Sequence, residues 1–418
     1  MQFLFRTAST HLFQRSFYST MFDTQVLKVV PENFTFKKSI GTDEFSELNA
    51  NSVISTKNDK LAIEKAVEWL KKGEAVGIPT ETVYGLAANA LDANAVSKIF
   101  AAKNRPQDNP LIVHVSSINM LKSILPDNTI PEVYLPIIRK HWPGPLTIVL
   151  PTSQLIPNSV TCGHPTVAVR FPSHPVARSL IEACGFPLAA PSANSSGKPS
   201  PTLASHVYHD LQGRIPFILD GGSCNVGVES TVLDGLRNPP AILRPGGLTY
   251  EELKEIKGME QLQVYRKDFV DKELEMAPTT PGMKYRHYSP EAMVILIDRK
   301  RDSKEFEENF EKAWKEELNA IRTSGMVVSK IGMLRTTQEG KTATWETISM
   351  VDDQTKCISL QMGRYGHPEE VARGMFKGLR ELDGRSVNVI FVEGIPEDRE
   401  GMAVMNRLRK AATKVLEV

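Results

Sequence analysis

The sequence predicts an α/β protein of alternating strands and helices, followed by a second, smaller α/β domain. Three observations carry this. Short apolar runs alternate with amphipathic stretches from residue 59 onward, the pattern of layered α/β architecture. The middle of the chain is too rich in strands for a regular Rossmann repeat. At 418 residues the chain also exceeds what one hydrophobic core usually supports, and two domains follow.

The elements follow in order. Residues 21–54 show no sustained period and read as a leader. Asp59 is placed to cap a helix whose buried face carries Ile63, Val67 and Leu70, and Gly73 ends it. A strand runs from Ala75 to Ile78, a helix from Asp92 to Lys103 and a strand from Leu111 to Val115. A helical stretch then passes through Ile137 and Ile138. Leu146 to Leu150 and Val167 to Phe171 read as strands and His174 to Cys184 as a helix. Short strands follow at Phe217 to Leu219, Ser230 to Leu233 and Ala241 to Leu243. The second domain, residues 292–418, opens with the strand Val294 to Ile297. Next come a helix bearing Phe306, Phe310, Trp314 and Leu318, a strand around Val327, a helix from Glu369 to Leu382 and a strand from Val387 to Val392. A last helix is expected to end near Val415. The segment from Ala277 to Pro290 carries Tyr285, His287 and Tyr288, more aromatic than a plain linker, and is expected to dock.

Composition narrows the function. Lys plus Arg (50) nearly balances Asp plus Glu (49), so there is no global basic field for gripping nucleic acid. Four scattered cysteines form no C-x-x-C pair, which argues against structural zinc and a disulfide framework. No apolar run is long enough to span a bilayer. Residues 1–20 hold Arg6 and Arg15, many hydroxyl residues and no acid, the composition of a mitochondrial presequence. Initiation at Met21 would remove it, so mitochondrial and cytosolic forms are expected.

Neither G-x-x-x-x-G-K-[ST] nor a helix-opening G-x-G-x-x-G occurs, so any nucleotide is bound by another route. Four polar constellations interrupt the apolar pattern. Pro79 to Leu86, with Thr80, Glu81, Thr82 and Tyr84, follows a buried strand, where α/β sheets bind ligands; an ordinary strand-to-helix turn would look the same. Lys103 to Pro110 sets Lys103 and Arg105 between prolines, able to meet phosphate oxygens or to form a solvated basic loop. His114 follows in an apolar strand, either a satisfied core histidine or a ligand. Arg170 lies within Val167 to Phe171 and, if buried, needs an anion; a structural and a substrate carboxylate fit equally. Pro187 to Pro201 is rich in Ser, Ala and Pro, suited to crowding amides around a phosphate or to a flexible linker.

Taken in order, Pro79 to Leu86, Lys103-x-Arg105 with Asn109 and His114, Ser192-x-Asn194, Glu229-Ser230-Thr231 and Arg244-Pro245-Gly246 resemble the threonylcarbamoyl-AMP synthases, the long two-domain branch of the YrdC-like family. The similarity covers residues 55–255, the catalytic domain with its twisted mixed YrdC-like sheet. It continues through a linker, 256–291, with Pro281 to Pro290 as its motif, into a Rossmann-like domain at 292–418. The resemblance implies a nucleotidyltransferase that joins L-threonine, bicarbonate or CO2, and ATP into threonylcarbamoyl-AMP and pyrophosphate. This is the first step of threonylcarbamoyladenosine formation at position 37 of tRNAs reading codons that start with A. By motif position, Arg105, Asn109, Thr166, Ser192, Ser200, Arg244 and Tyr288 are implied ATP contacts. Thr82, His114, Arg170, the backbone of Ala190, and Ser230 are implied threonine contacts. Lys103 and Arg105 would supply charge at the reacting phosphates. Mg2+ would enter with ATP, with no protein metal site and no prosthetic group. The implied partner is a threonylcarbamoyl-transferase complex, KEOPS-type in the cytosol with a mitochondrial counterpart, with contact to tRNA or double-stranded RNA possible and no membrane. Asn104 stands where many relatives have glycine. A non-catalytic double-stranded-RNA module is the alternative; the carbamoyl-transferring relative of hydrogenase maturation is set aside because its C-x-x-C zinc modules are missing.

Overall fold

The computed structural model describes residues 22–37, 44–276, 278–280, 287–299, 305–337 and 345–418. The presequence, the Met21 start, Tyr285 and most of the Pro281-to-Pro290 motif lie outside the described residues.

The first domain is built on one eleven-stranded sheet. From one edge it runs Gln25–Lys28, Phe217–Asp220, Val76–Ile78, Gly85–Asn89, Leu188–Ala189, Ile112–His114, Thr166–Arg170, Leu146–Pro151, Thr231–Asp234, Ala241–Arg244 and Gln263–Val264. Parallel and antiparallel pairs are mixed throughout. Most of these strands are buried along their length, which is why they read as unbroken apolar runs.

The leader corrects one expectation. Gln25–Lys28 is an edge strand, parallel to Phe217–Asp220, and Phe34–Lys37 pairs with Asn51–Ile54. All three strands are four residues long and largely exposed or half-buried, so they carry little hydrophobic pattern. The expected linker contributes too, since Gln263–Val264 joins the main sheet. The first helix, Lys57–Lys71, is capped by Thr56 rather than Asp59. Asp59 lies within the first turn, where it accepts from the Thr56 hydroxyl, the Asn33 amide and the Val30 N–H, tying the helix to the preceding hairpin. Gly73, at φ 74°, takes the left-handed turn that follows the helix.

The second domain carries a six-stranded sheet in the order Glu346–Asp352, Thr355–Arg364, Lys330–Thr337, Val389–Glu393, Met293–Asp298, Lys414–Glu417. All pairs are parallel except the edge pair of Glu346–Asp352 with Thr355–Arg364. Along Met293–Asp298, Ile295 and Ile297 pack with helix Phe306–Thr323, while Val294 and Leu296 pack with helices Pro368–Gly384 and Glu400–Ala411. Side chains alternate across a strand, and this sheet is covered on both faces. The strand expected near Val327 begins at Lys330, and Val327 itself is 84% exposed. The last helix stops at Ala411, and Val415 lies in a further strand. The core holding Val294 and Leu296 also takes in Val83, Val228 and Tyr288 from outside the second domain, so the two domains share buried apolar surface.

Candidate active site

The site grows from neighbouring strand ends. In register, His114 pairs with Arg170, and Arg170 with Thr147. Thr147 Oγ1 lies 2.7 Å from Ser230 Oγ. A row of polar side chains thus crosses an otherwise apolar sheet, where every member must find a partner.

Arg170 has an anion, Glu81, at 2.6 Å, with both side chains buried. Its Nη1 donates to Thr82 Oγ1 at 2.7 Å and its Nε to the Gly144 carbonyl at 3.3 Å. The carboxylate left open by the sequence is therefore structural in this state. Burial pushes the Glu81 carboxyl up, but Arg170 and the Ser173 N–H more than offset this and hold it below the usual range. Glu81 Oε2 is buried without a hydrogen bond, so the pair has not exhausted its capacity.

His114 Nδ1 lies 3.1 Å from the Ile112 carbonyl. A carbonyl only accepts, so this contact puts the ring proton on Nδ1 and leaves Nε2 an acceptor. Burial, reinforced by the nearby Arg170, pushes the imidazole down to about 3. The partly buried His206 and His287 are pushed to about 3, and His174 to about 4, with burial the leading cause. These rings stay neutral in the fold while the unfolded chain takes up protons near pH 6.5, so stability must fall as pH drops through that value. The depressed carboxylates Glu81 and Glu229 add their loss only below about 4.5. Thermal melts are expected to show stability falling by on the order of 1 kcal/mol or more per pH unit between about 6.5 and 5. A flat melting temperature over that window would contradict it.

The Lys103–Pro110 turn starts where helix Ala93–Lys103 ends. Asn104 takes the left-handed conformation at φ 52°, which glycine or asparagine accepts readily. Arg105 then turns inward, donating to the Asn109 and Pro110 carbonyls at 3.1 and 3.3 Å. Its Nε and Asn109 Oδ1 are buried without hydrogen bonds. Burial pushes its guanidinium down to about 10, still charged at neutral pH. Lys103 goes the other way: Nζ donates to the Ser192 carbonyl and, at 2.5 Å, to the Asn194 carbonyl. It braces the Ser192-x-Asn194 loop and does not line the cavity.

That loop is built rather than flexible. Leu86 N–H donates to the Pro191 carbonyl, and Ala193 N–H to the Tyr84 carbonyl, both at 2.8 Å. Ser192 Oγ donates to Asn194 Oδ1 at 2.6 Å. On the opposite side, Arg244 donates to the Ser230 carbonyl at 2.9 Å and to Ser230 Oγ at 3.2 Å.

One cavity joins these groups. Its lining includes Thr82, Arg105, His114, Arg170, Ala190, Ser192, Ser230, Arg244 and Tyr288 from the sequence expectations, joined by Thr80, Glu229 and His287. Arg170 and Arg105 face the same hollow. Asn109 and Ser200 stand behind it, Asn109 against Arg105 and Ser200 bonded to Glu229. Thr166, at the other end of the Arg170 strand, is outside the lining, about 13 Å along the strand. Three arginines face one lining carboxylate, an environment for anions. The cavity is only about 40 Å³, room for a few waters, and the buried Tyr288 is part of its lining. Tyr288 is buried, has φ 67°, and is followed by Ser289, whose N–H donates to the Gly197 carbonyl at 2.8 Å.

Sequence reasoning had assigned no role to Glu229, although it named the motif, and missed Arg407. The fully buried Arg407 of the second domain pairs with Glu229 at 3.0 Å. A carboxylate this deep needs a cation, a signal that Glu229 beside two apolar strands did carry.

Comparison with known proteins agrees with this architecture. Residues 68–246 match the Sua5/YciO/YrdC family, described as "Telomere recombination", and residues 248–413 match "Threonylcarbamoyl-AMP synthase, C-terminal domain". The chain is 43% identical to a threonylcarbamoyl-AMP synthase of Schizosaccharomyces pombe, covering 94% of this chain and 99% of that one. It is 45% identical to that of Pyrococcus abyssi, covering 84% and 94%. The crystal structure of Pyrococcus abyssi Sua5 complexed with L-threonine superposes with a TM-score of 0.73 at 41% identity, covering 87% of this chain and 98% of that one. A doubly substituted form of the same protein gives 0.74 at 38% identity, covering 94% and 98%. With both domains matched in order and along nearly its whole described length, the chain belongs to the Sua5/YrdC/YciO family, in its two-domain threonylcarbamoyl-AMP synthase branch.

Proposed function

We propose that the chain catalyses formation of threonylcarbamoyl-AMP and pyrophosphate from L-threonine, bicarbonate-derived CO2 and ATP, for threonylcarbamoyladenosine synthesis on tRNA. The observation that carries this reading is the one cavity whose lining brings Arg170, His114 and Thr82 together with Arg105, Ser192 and Arg244. Arg170, fixed by Glu81 and Gly144, takes the threonine carboxylate with little side-chain entropy to lose. Thr82, His114 Nε2, Ser230 and the Ala190 backbone surround the rest of the amino acid. Arg105, Ser192 and Arg244 receive the nucleotide, with Asn109 and Ser200 supporting them.

Threonine's amine loses a proton and adds to CO2, giving a carbamate. A carbamate oxygen attacks the α-phosphorus, and the bond to the bridging oxygen breaks to release pyrophosphate. No enzyme nucleophile is needed; the chain positions the two anions and offsets charge developing on the phosphate oxygens. Both reactants are anionic, and the excess of arginine over carboxylate holds them together. Glu229, the lining carboxylate, already accepts from Arg407 and Ser200. Mg2+ would therefore be held by phosphates and water more than by protein, supplying further charge to the phosphoryl oxygens. Substrates need more than the present cavity, so Tyr288 and His287 must withdraw and then close over the nucleotide.

The product acceptor is a threonylcarbamoyl-transferase complex, reached in the cytosol and in mitochondria through initiation at Met21 and Met1. Replacing Met21 in a carboxyl-terminally tagged chain is expected to deplete the cytosolic pool; an unchanged pool would refute dual initiation. The catalytic reading is tested with ATP, bicarbonate and isotope-labelled threonine. A labelled adenylate with stoichiometric pyrophosphate is expected, and threonine-independent ATP hydrolysis alone would refute it.

A further inference from the structure

The helix Glu400–Ala411 sends one side chain across the domain boundary into the back of the site. Arg407 is 0% exposed. Its Nε donates to Glu229 Oε2 at 3.0 Å, and its Nη1 donates to the Pro245 carbonyl and, at 3.4 Å, to the Ala403 carbonyl of its own helix. Glu229 Oε1 accepts from Ser200 Oγ at 2.5 Å.

These contacts join two segments that already press on each other. A Cβ added to Gly246 would lie 2.3 Å from the Ser230 carbonyl carbon and 2.3 Å from the Thr231 nitrogen. The Arg244-to-Gly246 turn therefore rides directly on the Glu229-to-Thr231 segment. Arg244 donates back to the Ser230 carbonyl and hydroxyl. One guanidinium thus fastens the carboxylate at the head of one segment and the carbonyl in the middle of the other, and between them these segments present Ser230 and Arg244 to the cavity.

We propose that Arg407 is a positioning residue for the reaction, through which the second domain sets Glu229, Ser200, Ser230 and Arg244 for ATP and threonine. The inference rests on the proposed reading of the cavity. It assigns the second domain a part in substrate binding rather than only a platform for the linker. Burial of an arginine at an interface can also serve adhesion alone, and the two roles differ in what they do to substrate affinity. An adhesive residue lowers the melting temperature when removed but leaves the Michaelis constants of the folded protein unchanged.

The test uses the full chain. Arg407→Met keeps much of the side-chain length and removes the contacts to Glu229 and to the Pro245 carbonyl, leaving Glu229 buried without its closest cation. Assayed well below its melting temperature, it is expected to raise KM for ATP at least tenfold, with a smaller rise for threonine. Arg407→Lys, which can restore one contact, is expected to recover part of that loss. A folded Arg407→Met protein with parental KM values overturns the proposal, whatever its melting temperature. If Arg407→Met does not fold, Arg407→Lys decides: a raised KM for ATP supports the proposal and a parental one overturns it. ATP affinity is measured in parallel by calorimetry. A parent protein that binds ATP yet forms no adenylate would sink the catalytic reading, while the calorimetric comparison would still judge Arg407.

Discussion

Replacing Arg170 with alanine is expected to cut kcat/KM for threonine by roughly 10²–10³ while ATP affinity stays within a few-fold of the parent. A fall of that size is about 3–4 kcal/mol, within what truncating one partner of a buried, hydrogen-bonded charge pair costs in binding. The substitution acts twice. The threonine carboxylate loses its cation, and Glu81, buried and 2.6 Å from Arg170 in the parent, is left without a countercharge. Arg170→Ala should therefore also lower the melting temperature, and adding Glu81→Gln should restore stability without restoring threonine use. Calorimetry with ATP and with threonine separates the two effects. Loss of ATP binding with unchanged threonine affinity would mean that the two subsites are exchanged.

Threonine should be preferred over valine by roughly 10⁴ in kcat/KM. A pocket whose polar groups are buried leaves them unpaired when a hydroxyl is replaced by a methyl, and that penalty is what discriminates isosteres. The group in question is His114 Nε2, since the Ser230 hydroxyl keeps Thr147 and Arg244 as partners whichever amino acid is bound. Because the imidazole is held neutral down to about pH 3, the preference should persist unchanged across the pH range in which the protein is folded. His114→Phe is expected to reduce threonine kcat/KM by about 10² and to leave valine almost unaffected. Pyrophosphate release with each amino acid reports both numbers; an equal fall for threonine and valine would remove His114 from hydroxyl recognition.

The buried strands were legible because consecutive residues such as Val167, Ala168 and Val169 are all buried and apolar, and the polar residues interrupting them marked the site. What escaped had weak or distant signals. Gln25–Lys28 is an exposed edge four residues long. Glu346–Asp352 is mostly exposed, and its partner Thr355–Arg364 alternates irregularly around a bulge near Arg335. The resemblance implies that Lys103 supplies charge at the reacting phosphates beside Arg105; in the fold the left-handed turn at Asn104 sends the two side chains in different directions, Lys103 toward the Ser192 and Asn194 carbonyls. Glu81 and Arg170 are 89 positions apart, and Arg407 and Glu229 are 178 apart. No local pattern encodes such pairs; they follow only from the rule that a buried charge must be met, which names the need and not the partner.

A crystal structure of the chain with L-threonine and a non-hydrolysable ATP analogue tests the central claim most directly. The account predicts the amino-acid carboxylate on Arg170 and Thr82, its hydroxyl toward His114 and Ser230, and the phosphates on Arg105 and Arg244 with the α-phosphate facing the threonine amine. Threonine carboxylate bound to Arg105 or Arg244, or the two ligands in separate cavities, would contradict it.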